Sequence, residues 1–153
     1  MTTLSKKIDF AAVIIVNHAN PNGDPLNGNR PRTTYDNLGE ISDVAIKRKI
    51  RNRLQDLGHA IFVQSDDNRV DNYRSLRERA EAVLKGVDPN DKKKYQEAAC
   101  EAWMDVRAFG QVFAFKGKKA KKGETEEDSD GVSIPVRGPV SVHSAFSVAS
   151  VLD

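Results

Sequence analysis

Residues 8–58 decide the fold class, because three stretches of different character follow one another there. They read IDFAAVIIVN at 8–17, HANPNGDPLNGNRPRTTYDNLGEI at 18–41 and SDVAIKRKIRNRLQDLG at 42–58. The first is a β-branched apolar run with little alternation, which predicts a central strand covered on both faces. The second is rich in Asn, Gly and Pro and predicts a long functional loop. The third predicts a helix that begins at Ser42 or Asp43.

Outward from this stretch, helical and strand-like patterns alternate. Helices are predicted at 71–85 and 91–108, and strands at 59–63, at 109–115 and from 132 to 151. In the last strand, apolar residues recur at every second position, while Pro135 on the opposite face indicates an edge or bulged strand. Residues 116–131 carry a lysine block and then an acidic block, which is typical of a charged, flexible insertion. Residues 1–153 therefore form part of one α+β domain.

The composition excludes several classes of protein. The chain has 153 residues, of which 39% are hydrophobic, which supports one packed domain. Its net charge of +2 shows no overall basic excess, so any nucleic-acid site must come from the placement of the cations. No apolar run approaches the roughly 20 residues of a membrane span, and no signal peptide is visible. We expect a cytoplasmic protein without a membrane contact.

Cations are concentrated on the predicted first helix and at the exit of the loop before it. At 100° per residue, Lys47, Arg48 and Arg51 fall on one flank of the helix's apolar stripe, and Lys49 and Arg53 fall on the other. The stripe itself, expected to be buried, is formed by Ile46, Ile50, Leu54 and Leu57. Arg30 and Arg32 end the loop, whose backbone N–H groups and amide side chains can follow phosphates and base edges alike. The same pattern also fits a merely solvated cationic face.

Other chemistry is weakly represented. Asp24, Asp36, Glu40 and Asp43 could hold Mg²⁺ for phosphodiester cleavage, although Asp24 is better explained as turn chemistry and Asp43 as a helix cap. The three histidines are far apart in sequence, so no shared metal site is expected. The single cysteine, Cys100, is predicted to be a buried structural thiol. We expect neither a metal nor another cofactor.

Three linked motifs resemble the N-terminal signature of a known family. They are Asn20-Pro21-Asn22-Gly23-Asp24-Pro25, then Gly28-Asn29-x-Pro31-Arg32, then Gly39-Glu40-x-x-Asp43-Val44-x-Ile46-Lys47-Arg48-x-Ile50-Arg51. Asp105-Val106-Arg107-x-Phe109-Gly110 and Val136-Arg137-Gly138-Pro139-Val140 also fit. The family is the repeated backbone subunit of type I CRISPR surveillance complexes (Cascade), and the likeness is greatest to the type I-C form. Residues 117–131 are not part of the resemblance.

The resemblance implies a modified RNA-recognition-motif (ferredoxin-like) palm with inserted loops. Copies of such a subunit stack along the CRISPR RNA and hold its backbone for pairing with target DNA, beside other Cascade subunits. The subunit is not an enzyme, since cleavage belongs to a separate nuclease-helicase. The residues carried over as RNA-binding are Asn20, Asn22, Gly23, Arg32, Lys47, Arg48 and Arg51. The charge argument adds Arg30 and, on the late strand, Arg137.

The chain is shorter than the members of that family, so it resembles their N-terminal portion and its fold is incomplete at the C-terminus. The late strand is then expected to lack a partner and to leave an open sheet edge. Two alternative functions stay open. One is a metal-dependent ribonuclease that uses Asp24 or Asp36, and the other is a structural protein-interaction module whose basic helix docks an acidic partner.

Overall fold

The computed structural model of the chain describes residues 4–115 and 132–151 and has the α+β composition that the sequence predicts. In chain order, the described elements are β1 (Gly23–Asp24), β2 (Arg30–Pro31), β3 (Leu38–Ile41), α1 (Asp43–Asp56), α2 (Leu76–Val83), α3 (Lys92–Ala102), α4 (Met104–Phe109), β4 (Gly110–Phe115), β5 (Val132–Arg137) and β6 (Ala145–Ser150). The contacts divide the chain into two compact units. The first comprises Met1–Ile41 and Ala145–Asp153, and the second Ser42–Ser144. The predicted insertion at 116–131 lies outside the described residues.

The first unit is built from short antiparallel pairs. Strands β1 and β2 pair with Gly23 opposite Pro31, and β3 pairs with β6 with Ile41 opposite Ala145. The sequence predicts one long loop at 18–41, but three short strands lie within this stretch. Asn and Gly residues make this possible, since Gly28, Asn29 and Asn37 adopt the left-handed backbone conformation that tight turns need.

The predicted central strand at 8–17 is wrong. These residues form no regular element, and their apolar side chains are exposed, with Val13 at 92% and Ile15 at 89%. A strand persists only where a neighbour exchanges backbone hydrogen bonds with it. None of the described residues pairs with this segment. Its strong local preference for β structure is therefore not satisfied within the described chain.

In the second unit, helix α1 begins where the sequence predicts. The Ser42 hydroxyl accepts a hydrogen bond from the Ala45 N–H at 3.4 Å and caps the first turn. The helix ends at Asp56, two residues before Gly58. Its apolar stripe is less covered than expected, because α1 has no fully buried residue and Leu57 is exposed.

The predicted helix at 91–108 is interrupted at Trp103, which separates α3 from α4. Trp103 has an extended backbone, with φ −133° and ψ 125°. Its ring packs against Phe62, with 4.6 Å between the ring centroids, and the Met104 N–H donates to the Ala60 carbonyl at 2.9 Å. The predicted strand at 59–63 is absent, although Phe62 and Ile61 are buried. Tertiary packing of one large ring therefore overrides the helical periodicity.

The core of the second unit joins these helices to β4 and β5. It consists of Phe62, Ala80, Leu84, Tyr95, Ala99, Trp103, Val106, Phe113, Ile134 and Val136. Tyr95 and Phe113 meet edge to face with centroids 5.4 Å apart, a favourable aromatic geometry. Cys100, predicted to be buried, is only half-buried, and this burial raises the pKa of its thiol.

The late strand divides into β5 and β6 at residues 138–144. In β5, Ile134 and Val136 are buried while Pro135 and Arg137 are exposed, as the period-two pattern predicts. Strand β5 pairs with β4, so the expectation that the late strand lacks a partner is wrong on that side. Its other side is an edge within the described residues, as Pro135 indicates, and the Pro135 carbonyl accepts a hydrogen bond from the Gln96 amide at 2.7 Å.

Candidate nucleic-acid interface

The loop that carries Asn20, Asn22 and Gly23 is fixed by its own hydrogen bonds. The Asn20 amide donates to the Asn29 carbonyl at 2.7 Å, and the Asn22 carbonyl accepts from the N–H of Arg32 at 2.9 Å. A Cβ atom at Gly23 would overlap the end of the Asn29 side chain, which would have to move, and would lie 3.1 Å from the Asn29 carbonyl oxygen. The loop is therefore a preorganised surface and not a loose connection.

Asp24 holds the next turn of the same unit. Its carboxylate accepts the Leu26 N–H at 3.0 Å, and the Asn29 N–H donates to its backbone carbonyl at 2.8 Å. This is the turn role that the sequence predicts for Asp24. Asp36 lies in the turn between β2 and β3 and is exposed. Within 4–115 and 132–151, no group of three or more acidic, His or Cys side chains is placed to hold a metal ion.

Arg30 and Arg32 follow this turn and are both exposed. The Arg32 Nε atom lies 3.1 Å from the Glu40 carboxylate, and 45% of the Arg32 side chain stays exposed. The Glu40 side chain is 20% exposed, so the pair is partly exposed, and a phosphate would compete with the Glu40 carboxylate for the Arg32 guanidinium. Arg30 has no ion pair within the described residues. Both guanidinium groups are therefore available to an anionic ligand.

On helix α1, the two predicted flanks differ in what they contact. Lys47 pairs with Asp43 one turn earlier at 3.1 Å, and this hydrogen bond lowers the pKa of the Asp43 carboxyl. Lys49 and Arg53 are exposed and form no ion pair with any residue that the structure describes. They are four residues apart and so share one face of the helix. The flank with Lys49 and Arg53 is therefore the one whose cations are exposed and have no ion pair in the described chain.

Arg48 and Arg51 are held inside the second unit. Arg48 donates to the Val63 carbonyl at 2.7 Å, and Arg51 Nε lies 3.0 Å from the Asp105 carboxylate. Arg51 also lies over the Phe109 ring, 5.2 Å from its centroid, and only 14% of its side chain is exposed. These contacts give both residues a structural function. Their predicted contact with RNA stays a prediction.

Asp105 organises this cluster and was not identified as a site residue from the sequence. Besides Arg51, it accepts the N–H groups of Phe62 at 2.7 Å and Val63 at 3.1 Å, and its side chain is 1% exposed. One signal was available, because an aspartate between the apolar Trp103 and Val106 is close to residues typical of a core, and a buried carboxylate requires a cationic or N–H partner. The sequence does not identify that partner, because Arg51 is 54 residues away from Asp105 in the chain.

Arg137 ends strand β5 and is exposed on the outer face of that strand, as predicted. It borders a shallow, mainly apolar groove between α3 and β5, lined also by Gln96, Glu97, Cys100 and Val136. Arg137 forms no ion pair with a described residue. Its exposed guanidinium lies beside this groove.

Comparison with known proteins identifies the family. The sequence profile of the family described as CRISPR-associated protein Cas7 matches residues 6–153. A curated relative from Haloferax volcanii, described as CRISPR-associated protein Cas7, is 35% identical over 158 aligned positions, which cover 99% of this chain and 45% of the relative. The chain thus spans about half the length of this relative. In the residues that the structure describes, no helix is long and apolar enough to cross a membrane. Because the profile match extends over nearly the whole sequence, the chain belongs to the Cas7 family of CRISPR-associated proteins.

Proposed function

We propose that this chain is the N-terminal part of a backbone subunit that binds CRISPR RNA in a type I Cascade complex, most similar to the type I-C form. Membership of the Cas7 family is the observation that carries the proposal. The complete subunit has a modified RNA-recognition-motif palm, acts in the cytoplasm and contacts further copies of itself and other Cascade subunits. It holds the guide RNA while the guide pairs with target DNA, and it is not an enzyme.

The arrangement of cations supports this proposal. Four cations are exposed and form no ion pair within the described residues: Arg30 in the first unit, and Lys49, Arg53 and Arg137 in the second. In each unit, exposed guanidinium and ammonium groups of this kind neutralise phosphates without reading bases, which suits a protein whose sequence specificity comes from its guide.

The predicted cations divide into two roles in this proposal. Arg32 and Lys47 form single, partly exposed ion pairs and exchange a carboxylate for a phosphate when RNA binds. Arg48 fixes α1 against Val63 and Arg51 fixes it against Asp105 on α4, which positions the outer cations. Asn20, Asn22 and Gly23 supply the rigid loop that carries Arg30 and Arg32.

A salt series of RNA binding tests the proposal. Fluorescence anisotropy of a labelled single-stranded RNA is measured with wild type, Arg32→Gln and Arg77→Gln. The two arginines are matched, because each is exposed and paired with one glutamate. We expect Arg32→Gln to lower the slope of log K against log salt by about 0.7, equally for all RNA sequences, whereas Arg77→Gln leaves it unchanged. Equal slopes for both variants would contradict a phosphate contact at Arg32.

The same samples separate the alternative functions. With Mg²⁺ present, each reaction is also run on a denaturing gel. RNA that is cut by wild type and left intact by Asp24→Ala or Asp36→Ala would identify the ribonuclease. Binding with almost no salt dependence would favour the protein-interaction module. Intact RNA and a steep salt dependence support the backbone subunit.

A further inference from the structure

The turn between β2 and β3 presents a fully exposed tyrosine. Tyr35 has a relative exposure of 106%, so its ring is not packed against the described chain. The other tyrosines differ, because Tyr95 is buried in the core and Tyr73 is half-buried. An isolated exposed ring is common on protein surfaces. The surroundings of Tyr35 are what distinguish it.

The backbone under Tyr35 is firmly held. The Thr34 N–H donates to the Leu38 carbonyl at 2.9 Å, and the Asn37 N–H donates to the Thr34 carbonyl at 3.1 Å. The Thr34 hydroxyl accepts the Leu38 N–H at 3.2 Å, and the Val151 N–H donates to the Asn37 carbonyl at 2.9 Å. The ring is thus displayed from a fixed point, and only its two side-chain torsions remain to be ordered when it binds a ligand.

Two cations, Arg30 on strand β2 and Arg32 directly after it, precede this turn. At about 3.3 Å per residue, the Cα atoms of Arg32 and Tyr35 are at most about 10 Å apart, and Arg30 lies two residues further along. Proteins that bind single-stranded nucleic acids combine these two features, a cationic path for the phosphates and an exposed ring on which a base stacks. The neighbours of Tyr35 in the turn are the polar Asp36 and Asn37. Tyr35 is therefore the one exposed aromatic side chain among the residues of this turn.

The geometry points to Tyr35 as a stacking platform for one unpaired base of a single-stranded RNA whose phosphates are held by Arg30 and Arg32. The inference rests on the proposed function, because that function supplies the RNA. It assigns a stacking contact with a base to a chain whose other predicted contacts are mainly to phosphate and sugar. Stacking on a ring accepts any base, so it is compatible with a guide of variable sequence.

The test uses a single-stranded RNA that contains the fluorescent base 2-aminopurine, whose emission is quenched by stacking. The variants are Tyr35→Phe, which keeps the ring, Tyr35→Leu, which keeps apolar surface without a π face, and Tyr35→Ala. We expect Tyr35→Phe to bind as wild type, and the other two to bind about 5- to 100-fold more weakly without the quench. The salt slope stays unchanged, because no charge is altered. Arg30→Gln shows the opposite result, a lower slope with the quench retained.

The outcomes separate this inference from the proposed function. If wild type binds RNA and Tyr35→Ala binds equally tightly with the same quench, the inference is overturned and the proposed function stands. If Tyr35→Leu binds as well as Tyr35→Phe, the contact is apolar and not stacking, which also overturns it. If Tyr35→Ala changes only the oligomeric size in sedimentation, the ring contacts a second copy and the inference fails. If wild type binds no RNA, the proposed function fails and the inference fails with it.

Discussion

Removal of the Asp105 carboxylate is the most informative test of how the second unit is held together. Its oxygens accept hydrogen bonds from the N–H groups of Phe62 and Val63 and from the Arg51 guanidinium. Residues 61–63 form no strand or helix, so these bonds, together with the packing of Phe62 in the core, fix their position. Asp105→Ala would leave two N–H groups and one largely buried cation without their acceptor.

The expected loss follows from the burial of the pair. Removal of one partner of a buried ion pair costs about 3–5 kcal/mol, of which the desolvated partner left behind accounts for the larger part. Because a domain of this size is stable by only about 5–15 kcal/mol, Asp105→Ala is expected to lower the free energy of unfolding by about 3–5 kcal/mol. Asp105→Asn keeps one oxygen that can accept the Phe62 N–H, so its loss is smaller, about 1–3 kcal/mol.

Urea unfolding followed by far-ultraviolet circular dichroism measures these losses. The matched control is Glu81→Gln, which breaks the exposed Arg77–Glu81 pair on α2, with both side chains at least half exposed. An exposed helical pair contributes about 0.3–0.5 kcal/mol, so the control should barely shift the urea midpoint. If Asp105→Ala destabilises the chain no more than Glu81→Gln does, the reasoning about this buried cluster is refuted.

The same contacts bear on how Arg51 should be tested for RNA binding. A variant such as Lys47→Ala with Arg51→Ala removes a predicted phosphate contact and a structural ion pair together. Weaker binding by that variant therefore has two causes, which only a stability measurement separates. Lys49 and Arg53 avoid the difficulty, because both are exposed and unpaired among the described residues.

Three further predictions concern pH, the core and the N-terminal segment. The Arg79 guanidinium donates two hydrogen bonds to the Asp71 carboxylate and lowers its pKa. The stabilisation by this pair is therefore fully present above the ordinary Asp pKa of about 3.9 and is lost as the pH falls through the lower pKa of the folded state. In urea titrations below about pH 4, wild type should lose stability more steeply than Asp71→Asn. Burial raises the pKa of Tyr95 to about 12, and its hydroxyl has no hydrogen-bond partner in the described chain. Tyr95→Phe should therefore unfold at an equal or higher urea concentration than wild type. A decrease in the free energy of unfolding of more than about 1 kcal/mol would contradict this. Ile15 is 89% exposed, so Ile15→Lys should change the unfolding free energy by less than about 0.5 kcal/mol. It should also reduce aggregation on storage, measured by light scattering. A larger loss of stability would place this segment in the core.

The elements that the sequence predicts correctly are those that depend on local signals. Helix α1 has a capping serine and a 3.6-residue apolar period, and β5 has a period-two alternation of buried and exposed residues. The errors occur where distant residues decide. The run at 8–17 has the composition of a strand but no pairing neighbour in the described residues, and the break at Trp103 depends on a ring contact with Phe62. Neither fact is encoded within the window of sequence that a periodicity argument uses.

The candidate site shows the same division at the level of single side chains. Helical periodicity correctly places Lys47, Arg48 and Arg51 on one flank of α1, and this clustering suggested that all three face a ligand. Periodicity gives the direction of a side chain but not what occupies that direction, and Asp105 approaches this flank from a helix 54 residues away. For a cation paired with a buried carboxylate, exchange of that carboxylate for a solvated phosphate is unfavourable, because the buried carboxylate would be left unpaired. The cations most available to RNA are therefore those for which the fold supplies no buried partner, and a test of the interface should begin with Arg30, Lys49 and Arg53.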